Sequence, residues 1–458
     1  MKVNYIYPYA YFKKVVTDNS FRHLFKHSVN YGLGDVISQV IGFLLIPLYT
    51  TFLSSSDYGI VDLVGTICAF AIPIIKLGLP GSVTRQYFDY HNDPAKLADY
   101  ITTIYKLLNW AALIVGSILL VIIFFIKDLI FSEIQFWPYL VLPILTAGLG
   151  ANNQLMQKVV QNEEKSKYAV KIRLIFTFSS IAMSILFIAG FKLGALGFII
   201  ADLIIAIAFF IQAYFFLKPY IKGKFNLTMA KEGLRYGSGI LPSHVFMASS
   251  PLLSKAILVN LGSLSALGVF SIGTRFVLPL EIFYSMISTA FTPIYNRLRT
   301  ENRNNEVAKY IKIILVGSFL LFALLLFFGP PIMRLMLPSN YHGSIALIPI
   351  LAIGFIFKIT YLLNSLEIYY VRKTRFVSII PFVGLTINIF ICLFFVTGYQ
   401  EKAIAWAYSI NYLVWFGLAY LYKRKVSAQS MFLKEYSLFI FTAILLVIFS
   451  HLIYYQFY

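Results

Sequence analysis

The chain has 458 residues, of which 59% are hydrophobic and only 12% are charged. That balance excludes an ordinary soluble enzyme. The formal charge of +19 does not point to nucleic acid, because its placement along the chain follows a membrane rule.

Residues 1–27 are Tyr-rich and basic and lack a continuous apolar core segment, so a cleavable signal peptide is not expected. Phe21, Leu24 and Phe25 alternate there with Arg22, His23, Lys26 and His27. That pattern suits a short interfacial helix or an irregular basic tail on the cytoplasmic side. Apolar runs of roughly 20 residues, each able to cross a hydrocarbon core about 30 Å thick, then repeat to the end of the chain. Alternation with a period of two is absent, which argues against an outer-membrane barrel.

The expected fold is an all-α polytopic membrane protein with thirteen spans. Six form an N-lobe over 28–217, at 28–51, 58–79, 100–126, 136–159, 168–190 and 193–217. A cytoplasmic linker follows at 218–235. Six more form a C-lobe over 236–422, at 236–260, 264–291, 308–329, 343–370, 374–397 and 401–422. Residues 423–458 supply a second linker and an extra span at 435–457.

The first span carries Asp35, Ser38, Gln39 and Gly42 at helical spacing, on one face. The link Ser54-Ser55-Ser56-Asp57-Tyr58-Gly59 leads to a second span with Asp62 and Lys76, about 3.9 turns apart and within roughly 40° of one face. A helix lining a wet cavity has use for such a stripe, and one facing lipid has none. The design returns later: Tyr31-Gly32-Leu33-Gly34 is echoed by Tyr236-Gly237-Ser238-Gly239, and Ser38 and Val40 meet Ser243 and Val245 at the same offset. After a four-residue insertion, Tyr58-Gly59-Ile60 meets Leu267-Gly268-Val269. Two halves of six spans each give parallel repeats, related by an axis along the membrane normal.

Of the 38 Lys and Arg, thirty fall in the N-terminal segment and in alternate loops with the span ends beside them, four in the opposite loops (Lys127, Lys192, Arg334, Lys402) and four further inside spans. The positive-inside rule therefore places the N-terminus in the cytoplasm and, with thirteen spans, the C-terminus outside. The outside loops are too short for a folded domain. Cys68 and Cys392 fall inside spans and read as small core residues.

The four cations set apart from the basic loops and span ends are Lys76, Lys255, Arg275 and Lys358. A cation at the bilayer centre costs about 2.5–3.5 kcal/mol unless a cavity, a partner or snorkelling relieves it. Lys76 is near the inner end of its span and can snorkel. Lys255 lies eleven residues after His244, close to the same face of a helix interrupted by Pro242 and Pro251. Arg275 stands between Ser271 and Pro279, facing a cavity or paired with an acid such as Asp62 or Asp35. Lys358 shares a face with Tyr361 and Ser365. Asp35, Asp62 and His244 are the candidates for coupling to a proton or sodium ion. Glu367 suits a plain ion pair with Arg372 or Lys373, and Asn152-Asn153-Gln154 with Gln157 an inner membrane interface.

Several stretches carry a resemblance: Leu53-Ser54-Ser55-Ser56-Asp57-Tyr58-Gly59, Leu77-Gly78-Leu79-Pro80, Thr84-Arg85-Gln86-Tyr87-Phe88, and Leu267-Gly268-Val269-Phe270-Ser271 leading to Arg275. With its length and span pattern, the chain resembles the polysaccharide transporters, the Wzx-type O-antigen and capsule flippases. These belong to the multidrug/oligosaccharidyl-lipid/polysaccharide (MOP) flippase superfamily. The resemblance implies a V-shaped two-lobed transporter in the bacterial cytoplasmic (inner) membrane. Its central cavity would be lined by spans one, two, seven and eight. Cations there, Arg275 and Lys255 with Lys358 and Lys76, would hold the diphosphate of an undecaprenyl-linked sugar from O-antigen, capsule or lipopolysaccharide assembly. The implied partners are that lipid-linked oligosaccharide, membrane lipids and other glycan-assembly membrane proteins, with no nucleic acid. No cofactor is implied beyond a coupling H+ or Na+. The first span lacks the cations of the lipid II flippase branch, and the thirteenth span departs from the twelve-span pattern. The absence of a Walker motif argues against ATP as the energy source. A cation-coupled drug exporter of the same superfamily would favour acids in its chamber. A membrane-embedded polymerase or ligase would need a larger outside loop.

Overall fold

The computed structural model describes residues 37–90, 93–163, 165–371, 374–426 and 433–457. Every regular element among them is helical. The N-lobe comprises α1 (Ile37–Phe52), α2 (Ser55–Lys76), α3 (Leu79–Asp89), α4 (Pro94–Ile130), α5 (Val141–Asn162), α6 (Ser166–Ile185) and α7 (Gly194–Leu217). The C-lobe comprises α8 (Leu227–Leu261), α9 (Leu264–Phe276), α10 (Leu278–Thr300), α11 (Asn304–Met336), α12 (Ile348–Tyr370), α13 (Thr374–Val426) and α14 (Leu433–Phe457). Among the described residues eight helices are long and apolar enough to cross a membrane, or nine with α9 and α10 taken as one span bent by 50°.

Local sequence sets the boundaries. The Ser54 hydroxyl accepts from the Asp57 N–H at 3.1 Å, and Asp57 Oδ2 accepts from the Ser54 N–H at 3.2 Å. This capping box starts α2 and satisfies two donors that the first turn would leave open. Leu77 and Gly78 then take left-handed φ values of 50° and 68°, which stop α2 before Pro80 opens α3. Asn226 caps α8, accepting from Thr228 and Met229. The expected linker at 218–235 is therefore half helix, and its first part is fixed to α4. The N–H groups of Gly223, Lys224 and Asn226 donate to Thr102, Asp99 and Thr103 at 3.1, 2.6 and 3.0 Å.

α13 is two antiparallel arms, broken where Gln400 adopts φ 42°, ψ −120°. A Cβ on Gly384 would fall 2.1 Å from both Asn411 Oδ1 and Trp415 Nε1. In one straight helix those residues would stand about 40 Å apart. The extra helix, α14, packs on α11 and α12, with Phe449 6.4 Å from Phe327 and Tyr436, Phe439 and Ala443 buried. It is an outer layer of the C-lobe. α12 is that lobe's centre, buried along most of its length, whereas α4 turns Leu113, Ile118, Phe125 and Leu129 outward, as a lipid-facing helix does.

Near the loops with few cations, the lobes meet through small residues. A Cβ on Gly59 would lie 2.2 Å from the Leu264 carbonyl oxygen, and one on Gly268 would lie 1.9 Å from that of Ser55. The Ser55 and Ser265 hydroxyls are 2.7 Å apart. Between membrane helices there is no hydrophobic drive to associate, so close backbone approach supplies the packing. Gly59 and Gly268 are equivalent positions of the weak sequence repeat, so the repeat axis passes through this crossing. Two further ties close the same end: Tyr341 donates to the Leu53 carbonyl at 2.9 Å, and Asn260 receives the Ser132 hydroxyl at 2.8 Å. At the basic end, Gly78 packs on Gly237, where a Cβ would lie 1.9 Å from the Leu77 carbonyl oxygen.

Candidate functional site between the lobes

One turn below the glycine crossing, charge crosses from lobe to lobe. Lys255 Nζ of α8 lies 2.6 Å from Asp62 Oδ2 of α2, with side chains only 14% and 10% exposed. Lys255 also donates to Thr66 Oγ1 at 2.8 Å, and Thr66 donates to the Asp62 carbonyl at 2.8 Å. Asp62 and Thr66 are one turn apart, so α2 presents both to the same ammonium. Ser271 faces Asp62 from α9, and Arg275 is an electrostatic neighbour of both Asp62 and Tyr58. With Gly59 equivalent to Gly268, Asp62 corresponds to Ser271 and Thr66 to Arg275. The cluster thus straddles the repeat axis with different chemistry on its two sides.

Arg275 itself is exposed. Exposed positions extend from the cluster toward the basic end: Gly65 and Ala69 after Asp62, and Pro251, Met247 and His244 before Lys255. They keep the helical spacing of the charged residues, so a cleft runs from the ion pair to the basic face while the opposite end is closed. A Cβ on Gly65 would meet nothing within 4 Å.

The structure unites Lys255, Asp62 and Arg275 and leaves the other expected residues elsewhere. Lys76, roughly 21 Å along α2 from Asp62, is hydrogen bonded to Gln154 of α5, the N-lobe's own polar run. His244 lies on the cleft's exposed face, roughly 16 Å along α8 from Lys255. Lys358 is held within the C-lobe: its Nζ is 2.5 Å from Glu281 Oε2 and lies over the rings of Tyr284 and Tyr412, at 4.7 and 4.9 Å. Tyr408 donates to the other Glu281 oxygen at 2.6 Å. Asp35 lies outside the described residues.

Glu281 lies six residues beyond Arg275, on a different helical face, so it was not among the candidate site residues. The signal for this second cluster was Tyr408, Tyr412 and Trp415, a stripe at i, i+4 and i+7 on one face. Glu367 is ion-paired with Arg299 at 2.7 Å and accepts a hydrogen bond from Tyr295, whereas Arg372 and Lys373, the partners expected, lie outside the described residues.

Two bundles joined at a crossing of small residues, with opposed charges beneath it and a cleft on one side, define the class: a multi-pass membrane protein with a two-lobed transporter fold. The sequence profile of the polysaccharide biosynthesis protein family matches residues 49–346, and the chain belongs to that family. Asp62, Lys255 and Arg275 fall within the match. The chain is similar to Lsg locus protein 1 of Haemophilus influenzae, 23% identical over 366 residues that cover 78% of this chain and 87% of the relative. Its fold is similar to that of the lipid II flippase MurJ in an inward closed conformation. That likeness has a TM-score of 0.67 and 15% identity, over 93% of this chain and 99% of the other. It is equally similar to an inward-facing MATE family multidrug resistance transporter of the MOP superfamily. There the TM-score is 0.67 and the identity 13%, over 85% and 97% of the two chains. These likenesses establish a fold like that of the MATE transporters and MurJ. The two structural neighbours are a multidrug resistance transporter and a lipid II flippase.

Proposed function

We propose that the protein flips an undecaprenyl-diphosphate-linked oligosaccharide from the cytoplasmic to the outer leaflet of the bacterial cytoplasmic membrane by alternating access. The observation that carries this reading is the pair of cations, Lys255 and Arg275, at the head of a cleft between the lobes. A sugar diphosphate cannot cross hydrocarbon unaided, since each buried charge costs several kcal/mol or more. In this reading the headgroup enters the cleft from the basic face while the prenyl tail stays in lipid. Arg275 grips phosphate oxygens through its planar fork, and Lys255 supplies a compact second charge. The lobes then rock against each other about an axis in the membrane plane, the glycine crossing parts, and the cleft opens to the other side. Asp62, relieved of Lys255, takes up the coupling proton or sodium ion.

The test is reconstitution in liposomes loaded with a prenyl-diphosphate oligosaccharide, read by external access of a glycan-specific lectin. Protein-dependent exposure of the glycan is the expected result. Export of a cationic dye without glycan exposure would move the protein to the drug-exporter class.

A further inference from the structure

We propose that Asp62 makes the site count charge, so that a headgroup with two phosphates releases the lobes and one with a single phosphate does not. The inference rests on the flippase reading above and narrows its substrate class.

In the structure, Asp62 already occupies the place of an anion on Lys255, 2.6 Å away. Lys255 belongs to the C-lobe, and its two polar partners, Asp62 and Thr66, both belong to α2 of the N-lobe. The bond is therefore a strap between the lobes as well as a charge balance. Arg275, on α9, is exposed to the cleft; it meets the N-lobe through the Tyr58 phenol and the charge of Asp62, while the salt bridge across the lobes is that of Lys255. Counting formal charges over these three groups gives two positive and one negative.

A sugar on a single prenyl phosphate is a diester with one negative charge. Arg275 satisfies it, and the Asp62–Lys255 pair is left intact. A sugar on a prenyl diphosphate carries two negative charges on adjacent phosphates. With one phosphate on Arg275, the other is held next to Lys255 at high effective concentration and competes with Asp62 for the ammonium. Once Lys255 turns to it, no ion pair spans the lobes at this level. What remains above is the backbone contact at Gly59 and Gly268 and a few neutral hydrogen bonds. Discrimination then arises in the movement of the lobes, since both headgroups can reach Arg275.

The experiment compares two fluorescent probes with the same prenyl tail and sugar, one linked through a diphosphate and one through a monophosphate. Their flipping is followed in proteoliposomes of wild type, Asp62→Asn, and Asp62→Asn with Lys255→Gln. The double variant leaves neither charge unpaired and so serves if the single one fails to fold. The expected wild-type preference for the diphosphate is at least about tenfold, corresponding to about 1.4 kcal/mol. Asp62→Asn is expected to cut that ratio to about threefold or less, by raising the monophosphate rate. The double variant should also lose the preference, with slower diphosphate flipping. A ratio that stays tenfold in the variants, or a wild type that flips both probes equally, would overturn the role of Asp62 and leave the flippase reading standing. A wild type that flips neither probe would instead overturn the flippase reading and this inference with it.

Discussion

Adding one methyl group at Gly268 should pry open the closed end of the interface. The Cβ would lie 1.9 Å from the Ser55 carbonyl oxygen, more than 1 Å inside the 3.0 Å that real contacts keep. The obstructing atom is backbone, so no side chain can swing aside, and the helices must separate. Overpacking of this kind costs about 1–3 kcal/mol. Charged to the closed state alone, that lowers its population relative to an open state by about 5- to 150-fold. The assay is disulfide formation between Ser55→Cys and Ser265→Cys, whose hydroxyls are 2.7 Å apart, after Cys68 and Cys392 have been replaced. Gly268→Ala should reduce cross-linking sharply. Gly239→Ala, where a Cβ meets nothing within 4 Å, should leave it unchanged. Full cross-linking in Gly268→Ala would refute the idea that this crossing is a gate held by backbone contact.

Gly237→Ala places its Cβ 1.9 Å from the Leu77 carbonyl oxygen at the basic end and should shift accessibility there, with Ser55–Ser265 cross-linking preserved. Glu367→Gln leaves the Arg299 guanidinium without its buried counter-ion. It should cost about 3–5 kcal/mol, seen as a lower melting temperature in detergent. Glu281→Gln should impair the protein more than Glu281→Gln with Lys358→Met, since only the single variant strands an ammonium within the C-lobe. At the basic end, burial and then a hydrogen bond to Glu163 push the Tyr220 phenol up to about 12. Because the folded value is raised, its contribution is intact below the free phenol's range near 10 and lost as pH rises through about 12. Tyr220→Phe should remove that alkaline step from a melting profile.

The helical fold was legible because hydropathy and charge repeat along the chain, though among the described residues eight or nine helices, not thirteen, are long and apolar enough to span. α2 ends at Lys76, before the expected limit at 79, because Leu77 and Gly78 take left-handed backbone angles. The 50° bend between α9 and α10 was not foreseen, although Pro279 marks it. The site was half legible. Lys255, Arg275 and Asp62 stood out because charge inside a span is costly, and an ion pair is how that cost is met. Which acid meets which cation depends on how two lobes more than 180 residues apart in sequence dock, and no periodicity encodes that. Lys255 took Asp62, a partner considered for Arg275, and Lys358 took Glu281. Gly59 and Gly268 were visible as a repeat, but their meeting on the axis emerged only when the lobes were seen together.

The most direct measurement is flipping of a prenyl-diphosphate oligosaccharide in proteoliposomes by wild type, Arg275→Gln and Lys255→Gln, each shown to be folded. The account predicts that Arg275→Gln loses transport, since it removes an exposed cation of the cleft and leaves the Asp62–Lys255 salt bridge in place. Lys255→Gln should lose it as well. Wild-type rates in a folded Arg275→Gln protein would contradict the claim that these cations carry the diphosphate.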